Sequence, residues 1–227
     1  MRFDSYDHVA AYAKDGSFPA IHDDIFMLIQ RADTGDVPER GPHRTYLDLG
    51  CCYGLLTARI ATQLPYARAV GIDSNPHYIR KAIAYYPEKP GYGVQPIERV
   101  EYQQFRLDGS EQSLSNFQYL LREKHVDFVV ARRVLPEIWE SALTICKPSD
   151  QSRAMDYMQK LTDILWLQRV GVFLEGRKPT PKATNLLCSI EKETELFMLP
   201  SPVHPRDAWI VKDTLGNCRY LVPNLMP

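Results

Sequence analysis

The segment YLDLGCCYGLL, residues 46–56, decides the fold. It joins a short apolar run to an acid and a glycine. A helical pattern follows, because Leu56, Ile60 and Leu64 recur every four residues. A strand that turns through glycine into a helix is the first unit of a sheet with crossover helices. An open α/β sheet binds its ligand at the carboxyl end of such a strand.

Strand-like and helix-like segments alternate after this unit. Predicted strands cover residues 45–49, 67–72, 100–107, 126–131 and 170–174, and predicted helices cover 56–64, 74–86, 114–121, 135–146, 152–166 and 182–197. Two last runs, 208–213 and 218–222, flank a Gly216-Asn217 turn and are expected to form an antiparallel hairpin. The pattern predicts an α/β, Rossmann-like doubly wound fold, with a mostly parallel seven-stranded sheet and helices on both faces.

The length of 227 residues favours one large domain with additions. We expect residues 45–227 to form this domain and residues 1–44 to form an N-terminal helical segment. That segment packs on the sheet or covers the ligand as a cap or lid. The loop at residues 87–97 is rich in proline and glycine, and it is either a surface connection or a second lid.

Composition excludes some classes of function. The 27 basic and 28 acidic residues leave a net charge of −1, so no overall field favours binding to nucleic acid. The five cysteines lack CxxC spacing, which indicates reduced thiols rather than a zinc site or a disulfide framework. We find neither a signal-peptide pattern nor an apolar run long enough for a membrane helix, and we therefore expect a cytoplasmic protein.

The glycine spacing of the first loop narrows the choice of cofactor. A dinucleotide fingerprint requires glycines at positions 50, 52 and 55, but the residues there are Gly50, Cys52 and Leu55. No phosphate-binding GxxxxGK[ST] motif occurs. The pattern D-x-G-x-G-x-G fits better, with Asp48, Gly50 and Gly54 in place and Cys52 as its one departure.

This motif resembles the first motif of class I S-adenosylmethionine-dependent methyltransferases, and the resemblance extends over about residues 44–176. It implies that S-adenosylmethionine binds at Asp48, Gly50, Cys51, Cys52, Gly54, Asp73, Ser74, Asp108, Gly109 and Ala131. An acid at position 48 suits the ammonium or sulfonium charge of the cofactor. Asp73, 23 residues after Gly50, is placed to accept the ribose hydroxyls. Each acid also fits a purely structural role, as a helix cap or a loop brace.

The segment after the fourth strand bears on the methyl acceptor. Glu137 stands where many small-molecule methyltransferases have a histidine, and it is either a general base or a first-turn acid that complements the helix dipole. Arg132 and Arg133 could contact a phosphate or carboxylate, or be solvated. The [DNS]-P-P-[YFW] motif of enzymes that methylate DNA amino groups is absent.

The resemblance therefore implies methyl transfer to a small-molecule or sugar acceptor, without a metal, with Glu137 and Arg132 as candidate catalytic residues. A nucleic-acid or protein methyltransferase of the same fold and a non-catalytic S-adenosylmethionine-binding module remain alternatives.

Overall fold

A computed structural model describes residues 43–64, 66–85, 99–132, 134–145, 151–167, 171–177, 199–200 and 207–212. The strands are β1 (Arg44–Leu49), β2 (Ala67–Asp73), β3 (Val100–Gln104), β4 (Phe128–Arg132), β5 (Gly171–Arg177), β6 (Leu199–Pro200) and β7 (Asp207–Lys212). The helices are α1 (Leu55–Gln63), α2 (Pro76–Tyr85), α3 (Glu111–Glu123), α4 (Leu135–Ile145) and α5 (Gln151–Leu167).

The strands form one sheet in the order β3-β2-β1-β4-β5-β7-β6. Neighbours among β1 to β5 are parallel, whereas β7 is antiparallel to both β5 and β6. Because β1 lies between β2 and β4, the chain leaves its carboxyl end at the point where the strand order reverses. This is the place where open α/β sheets form a ligand-binding crevice.

Helices cover both faces of the sheet, because alternate side chains of each strand point to opposite sides. Tyr46 packs in a cluster with Leu56 and Ile60 of α1. Its neighbour Leu47 belongs to a second, larger cluster that includes residues of α3, α4 and α5. The predicted α/β fold with a parallel sheet and helices on both faces is thus confirmed.

Some predicted boundaries differ from the structure. The third strand ends at Gln104 instead of residue 107, because its partner β2 ends at Asp73, which pairs with Gln104. The helix after it begins at Glu111, where the Ser110 hydroxyl accepts a hydrogen bond from the Ser113 N–H at 3.2 Å. A side-chain cap of this kind fixes where a helix starts.

The predicted C-terminal hairpin is described only in part. Its first run overlaps β7, whose antiparallel partners are β5 and β6. The second run, 218–222, lies outside the described residues, as do the predicted helix 182–197, residues 1–42 and the loop 87–97. Within the described part of the chain, every helix is too short or too polar to cross a membrane.

Candidate functional site

The loop between β1 and α1 is folded tightly against the end of β2. The backbone N–H groups of Gly50 and Cys51 both donate to the carbonyl oxygen of Ile72, at 2.8 and 3.0 Å. The Gly54 N–H donates to the Cys51 carbonyl at 2.8 Å. These bonds hold the loop at the carboxyl ends of two adjacent strands, where a ligand would reach it.

Two glycines in this loop are required by their surroundings. Gly50 and Gly54 have φ angles of 80° and 77°, in the left-handed region. A Cβ atom on Gly50 would lie 2.8 Å from Cγ2 of Val134, and one on Gly54 would lie 2.6 Å from the ring of Tyr102. Packing therefore explains both glycines, in addition to the turn itself.

Asp48 lies beneath the loop and is only 2% exposed. Its Oδ2 atom accepts a hydrogen bond from the Thr57 hydroxyl at 2.6 Å, which connects β1 to α1. Asp48 was expected either to complement the charge of a ligand or to brace the loop. This hydrogen bond favours the loop brace. Asp48 would then act on a ligand through its negative charge.

Cys52 occupies the position of the missing glycine and has a φ angle of 50°. Its N–H donates to Oδ2 of Asp73 at 3.0 Å. The pKa of both the Cys51 and the Cys52 thiol is raised well above the usual range, mainly because the thiols are buried. The negative charges of Asp48 and Asp73 raise both pKa values further. Protonated thiols are poor nucleophiles and metal ligands, so the paired cysteines serve here as loop residues.

Asp73 ends β2 and is 8% exposed. Besides Cys52, its carboxylate accepts a hydrogen bond from the Asn75 N–H at 2.8 Å. Burial raises the pKa of Asp73, whereas the two backbone hydrogen bonds act in the opposite direction. Ser74, next in the chain, is exposed. Asp73 is therefore held by the loop on one side and by the entry to α2 on the other.

The segment from β4 to α4 forms the other wall of the site. Ala131 is fully buried in β4, beside Leu49 at the end of β1. Arg132 ends β4, and its side chain lies outside the described part of the structure. Val134 contacts Gly50, and its carbonyl accepts a hydrogen bond from the Glu137 N–H at 3.0 Å. Glu137 thus lies in the first turn of α4, close enough to the β1–α1 loop for its charge to act on Cys52.

Part of the Glu137 side chain is exposed to solvent. Burial of the remainder, and then the nearby charge of Asp73, raise the pKa of Glu137 to about 7. A carboxyl group with this pKa can both hold and release a proton near neutral pH.

Asp108 and Gly109 follow β3 at the next loop. Oδ1 of Asp108 accepts hydrogen bonds from the N–H and the hydroxyl of Ser110, at 3.0 and 2.7 Å. Partial burial acts to raise the pKa of Asp108, but these bonds outweigh it and the pKa is lowered. A Cβ atom on Gly109 would lie 2.6 Å from Cα of Ala142 in α4. The hydrogen bonds described for Asp108 make it part of the α3 cap.

Two tyrosines that sequence reasoning missed line the same place. The ring of Tyr78, in the first turn of α2, packs edge-on against the ring of Tyr53 with centroids 5.0 Å apart. Burial raises the pKa of Tyr78 to about 12, and the charges of Cys52, Tyr53, Asp73 and Glu137 contribute. The signal in the sequence was the position of Tyr78, five residues after the acid that ends β2 and in the first turn of the helix that follows.

The structure thus brings most of the predicted residues together at the carboxyl ends of β1, β2 and β4, with Asp108 and Gly109 at the adjacent loop. Among the described residues, no group of three or more histidine, cysteine, aspartate or glutamate side chains could hold a metal ion.

No protein-family model and no curated protein matches the sequence. Solved structures do match. The methyltransferase domain of bacterial CtHen1 is 10% identical with a TM-score of 0.52, and the match covers 84% of this chain and 95% of that chain. An RNA methyltransferase from Salinibacter ruber, in complex with S-adenosyl-L-homocysteine, is 20% identical with a TM-score of 0.40, over 69% of this chain and 74% of that one.

WbdD is 18% identical with a TM-score of 0.45, and although the match covers 73% of this chain it spans only 28% of the WbdD chain. The similarity to the CtHen1 domain, at this low identity, is a similarity of fold. The chain therefore has the α/β fold of a methyltransferase domain.

Proposed function

We propose that this chain is an S-adenosylmethionine-dependent methyltransferase that acts on a hydroxyl or amino group of a small molecule or sugar. The observation that carries the proposal is the placement of Asp73. Its buried carboxylate lies at the carboxyl end of β2, held by N–H groups on both sides, next to the topological switch point. The fold shared with the CtHen1 methyltransferase domain supports it.

The residues present suit this cofactor by their chemistry. A carboxylate has about four acceptor sites, and two N–H groups use only part of the capacity of Asp73. The remaining sites can accept the paired hydroxyls of a ribose. The loop from Gly50 to Gly54 carries no lysine or arginine, as expected for a ligand without phosphate. Asp48 and Glu137 add negative charge, which favours a cationic ligand.

The cofactor would supply an electrophilic methyl group, bound to a positively charged sulfur. What the chain contributes is position and proton transfer. Holding an acceptor in line with the methyl carbon provides much of the rate of such a displacement. Glu137, with a pKa of about 7, would take the proton that the hydroxyl or amino group loses and later release it to solvent. Arg132 stays a predicted contact for an anionic part of the acceptor.

Two alternatives use the same fold. A nucleic-acid or protein methyltransferase would need a surface for a large acceptor, and the balanced charge of the chain gives no overall attraction to phosphate. A non-catalytic binding module would hold the cofactor without a reaction. We also propose a cytoplasmic location, in keeping with the free thiols of Cys51 and Cys52, and a covering role for residues 1–44 over the domain formed by residues 45–227.

Calorimetry with S-adenosylmethionine and with NAD tests the proposal. We expect S-adenosylmethionine to bind and NAD not to bind. Failure to bind S-adenosylmethionine at several hundred micromolar would rule out the proposed function. Transfer of a labelled methyl group to a panel of hydroxyl and amino compounds then separates the enzyme from the non-catalytic module. Salt-dependent binding to RNA or DNA would favour the nucleic-acid alternative.

A further inference from the structure

A chain of hydrogen bonds connects α5 to the β3–α3 loop, residues 105–110. Tyr157 of α5 is only 2% exposed, and its hydroxyl oxygen lies 2.8 Å from Oγ of Ser113 in α3. The Ser113 hydroxyl donates to the Ser110 carbonyl at 2.7 Å, and a hydroxyl has only one hydrogen to donate. Tyr157 is therefore the donor in its bond with Ser113, which ties a buried side chain of α5 to the first turn of α3.

Ser110 continues this chain of hydrogen bonds to Asp108. The Ser110 hydroxyl accepts from the Ser113 N–H at 3.2 Å and donates to Oδ1 of Asp108 at 2.7 Å, so its orientation is fixed at both ends. The same Oδ1 atom accepts from the Ser110 N–H at 3.0 Å. An ionised carboxylate has about four acceptor sites in all. Asp108, which is partly exposed, can therefore still accept a hydrogen bond from a ligand.

A second connection between α5 and the start of α3 is an ion pair at the surface. Lys160 and Glu111 lie 2.5 Å apart, and both side chains are largely exposed. Exposed ion pairs contribute little, because water and salt screen them. The bond between the hydroxyls of Tyr157 and Ser113 is different, since breaking it leaves buried polar groups without partners. The buried hydroxyl is therefore the part of α5 that can fix the loop.

We propose that Tyr157 is a positioning residue, which acts through Ser113 and holds the Asp108 carboxylate where it accepts a hydrogen bond from the bound cofactor. This inference rests on the proposed function. Gly109 gives the loop a second support, because a Cβ atom there would lie 2.6 Å from Cα of Ala142 in α4. An acceptor that is fixed before the ligand arrives loses less entropy on binding, and this increases the affinity.

Calorimetry of the full chain with S-adenosylmethionine tests the inference in Tyr157→Phe, which keeps the ring and removes the hydroxyl. We expect the affinity to fall by about three- to tenfold, the effect of one hydrogen bond. In an Asp108→Asn background, which lacks the charged acceptor, Tyr157→Phe should change the affinity by less than about twofold. A role in global stability alone would weaken binding by the same factor in both backgrounds. Equal losses would therefore overturn the inference, and so would an unchanged affinity of Tyr157→Phe.

Two control variants separate the buried hydroxyl from its surroundings. Tyr119→Phe makes the same chemical change at an exposed position of α3, and Lys160→Met removes the exposed ion pair between the same two helices. Each should leave the affinity within about twofold of the wild type. If Lys160→Met loses as much affinity as Tyr157→Phe, general docking of α5 is what matters and the inference is wrong.

Amide hydrogen exchange without ligand tests the same link independently of the proposed function. The Ser110 N–H donates to Oδ1 of Asp108, so Tyr157→Phe should increase its exchange rate by about threefold or more, because the loop opens more often. Ser113→Ala removes the partner of Tyr157 and should have the same effect, and it replaces Tyr157→Phe in every measurement if that variant does not fold. Unchanged exchange at Ser110 would overturn the inference. If the wild type does not bind S-adenosylmethionine, the proposed function fails, and the exchange rate alone decides whether Tyr157 holds the loop.

Discussion

The backbone N–H of Cys52 donates a hydrogen bond to Oδ2 of Asp73 at 3.0 Å, and so joins the β1–α1 loop to the end of β2. Asp73 also accepts from Asn75, at the start of α2. One buried carboxylate therefore organises three segments of the chain. In the proposed function the same carboxylate binds the ribose of the cofactor, and this dual role can be separated by experiment.

Asp73→Asn should weaken cofactor binding by about ten- to a hundredfold, or roughly 1.5–3 kcal/mol, because a neutral amide is a poorer acceptor for ribose hydroxyls and keeps only one oxygen. Calorimetry with S-adenosylmethionine measures the loss. Thermal denaturation without ligand shows how much of the lost affinity comes from a weakened loop. Asp163→Asn, on the exposed side of α5, is the control. An unchanged affinity would mean that Asp73 is only a structural brace.

Cys52→Gly should stabilise the fold or leave it unchanged, although most core or loop substitutions destabilise. The φ angle of Cys52 is 50°, a conformation that costs a residue with a Cβ atom about 1 kcal/mol and costs glycine almost nothing. The greater freedom of glycine in the unfolded chain offsets part of the gain. Urea denaturation measures the difference. Cys52→Ala keeps the Cβ atom, so it should be less stable than Cys52→Gly, and the reverse order would contradict the argument.

Gly54→Ala should destabilise the protein by about 2–4 kcal/mol, the sum of the left-handed backbone and the overlap with the ring of Tyr102. The test is a double-mutant cycle with Tyr102→Ala, in which urea denaturation measures the free energy of unfolding of each variant. Removing the ring should recover the part of the loss that comes from overlap, so that the two changes are not additive. Additive losses would show that the backbone conformation alone requires glycine.

The sequence predicted the parallel sheet and the helices on both faces because these follow from local periodicity and turn residues. It also indicated Asp73, since the end of the second strand can be located from pattern alone. It did not reveal that Cys52 adopts a left-handed conformation, nor that the ring of Tyr78 packs against the ring of Tyr53, because both depend on how distant segments pack. The early end of β3 also depends on packing between distant segments, because the strand stops where its partner β2 ends.

Glu137 should make stability depend on pH in a direction opposite to that of a salt-bridged acid. Its pKa is raised from 4.5 to about 7 in the folded state, so the folded protein holds this proton more tightly than the unfolded chain does. The protonated carboxyl group therefore adds to the free energy of unfolding, fully below pH 4.5. This contribution is lost as the pH rises through about 7. Since part of the side chain is exposed, solvent screening reduces the effect to about 1 kcal/mol.

Glu137→Gln removes this titration while keeping the shape of the side chain. The free energy of unfolding of the wild type, relative to Glu137→Gln, should therefore fall by about 1 kcal/mol between pH 5 and pH 8, as measured by urea denaturation. Glu140→Gln, an exposed acid of the same helix, should follow the wild type. If wild type and Glu137→Gln show the same pH dependence, Glu137 titrates as an ordinary surface acid, and its proposed role as a base near neutral pH loses its physical support.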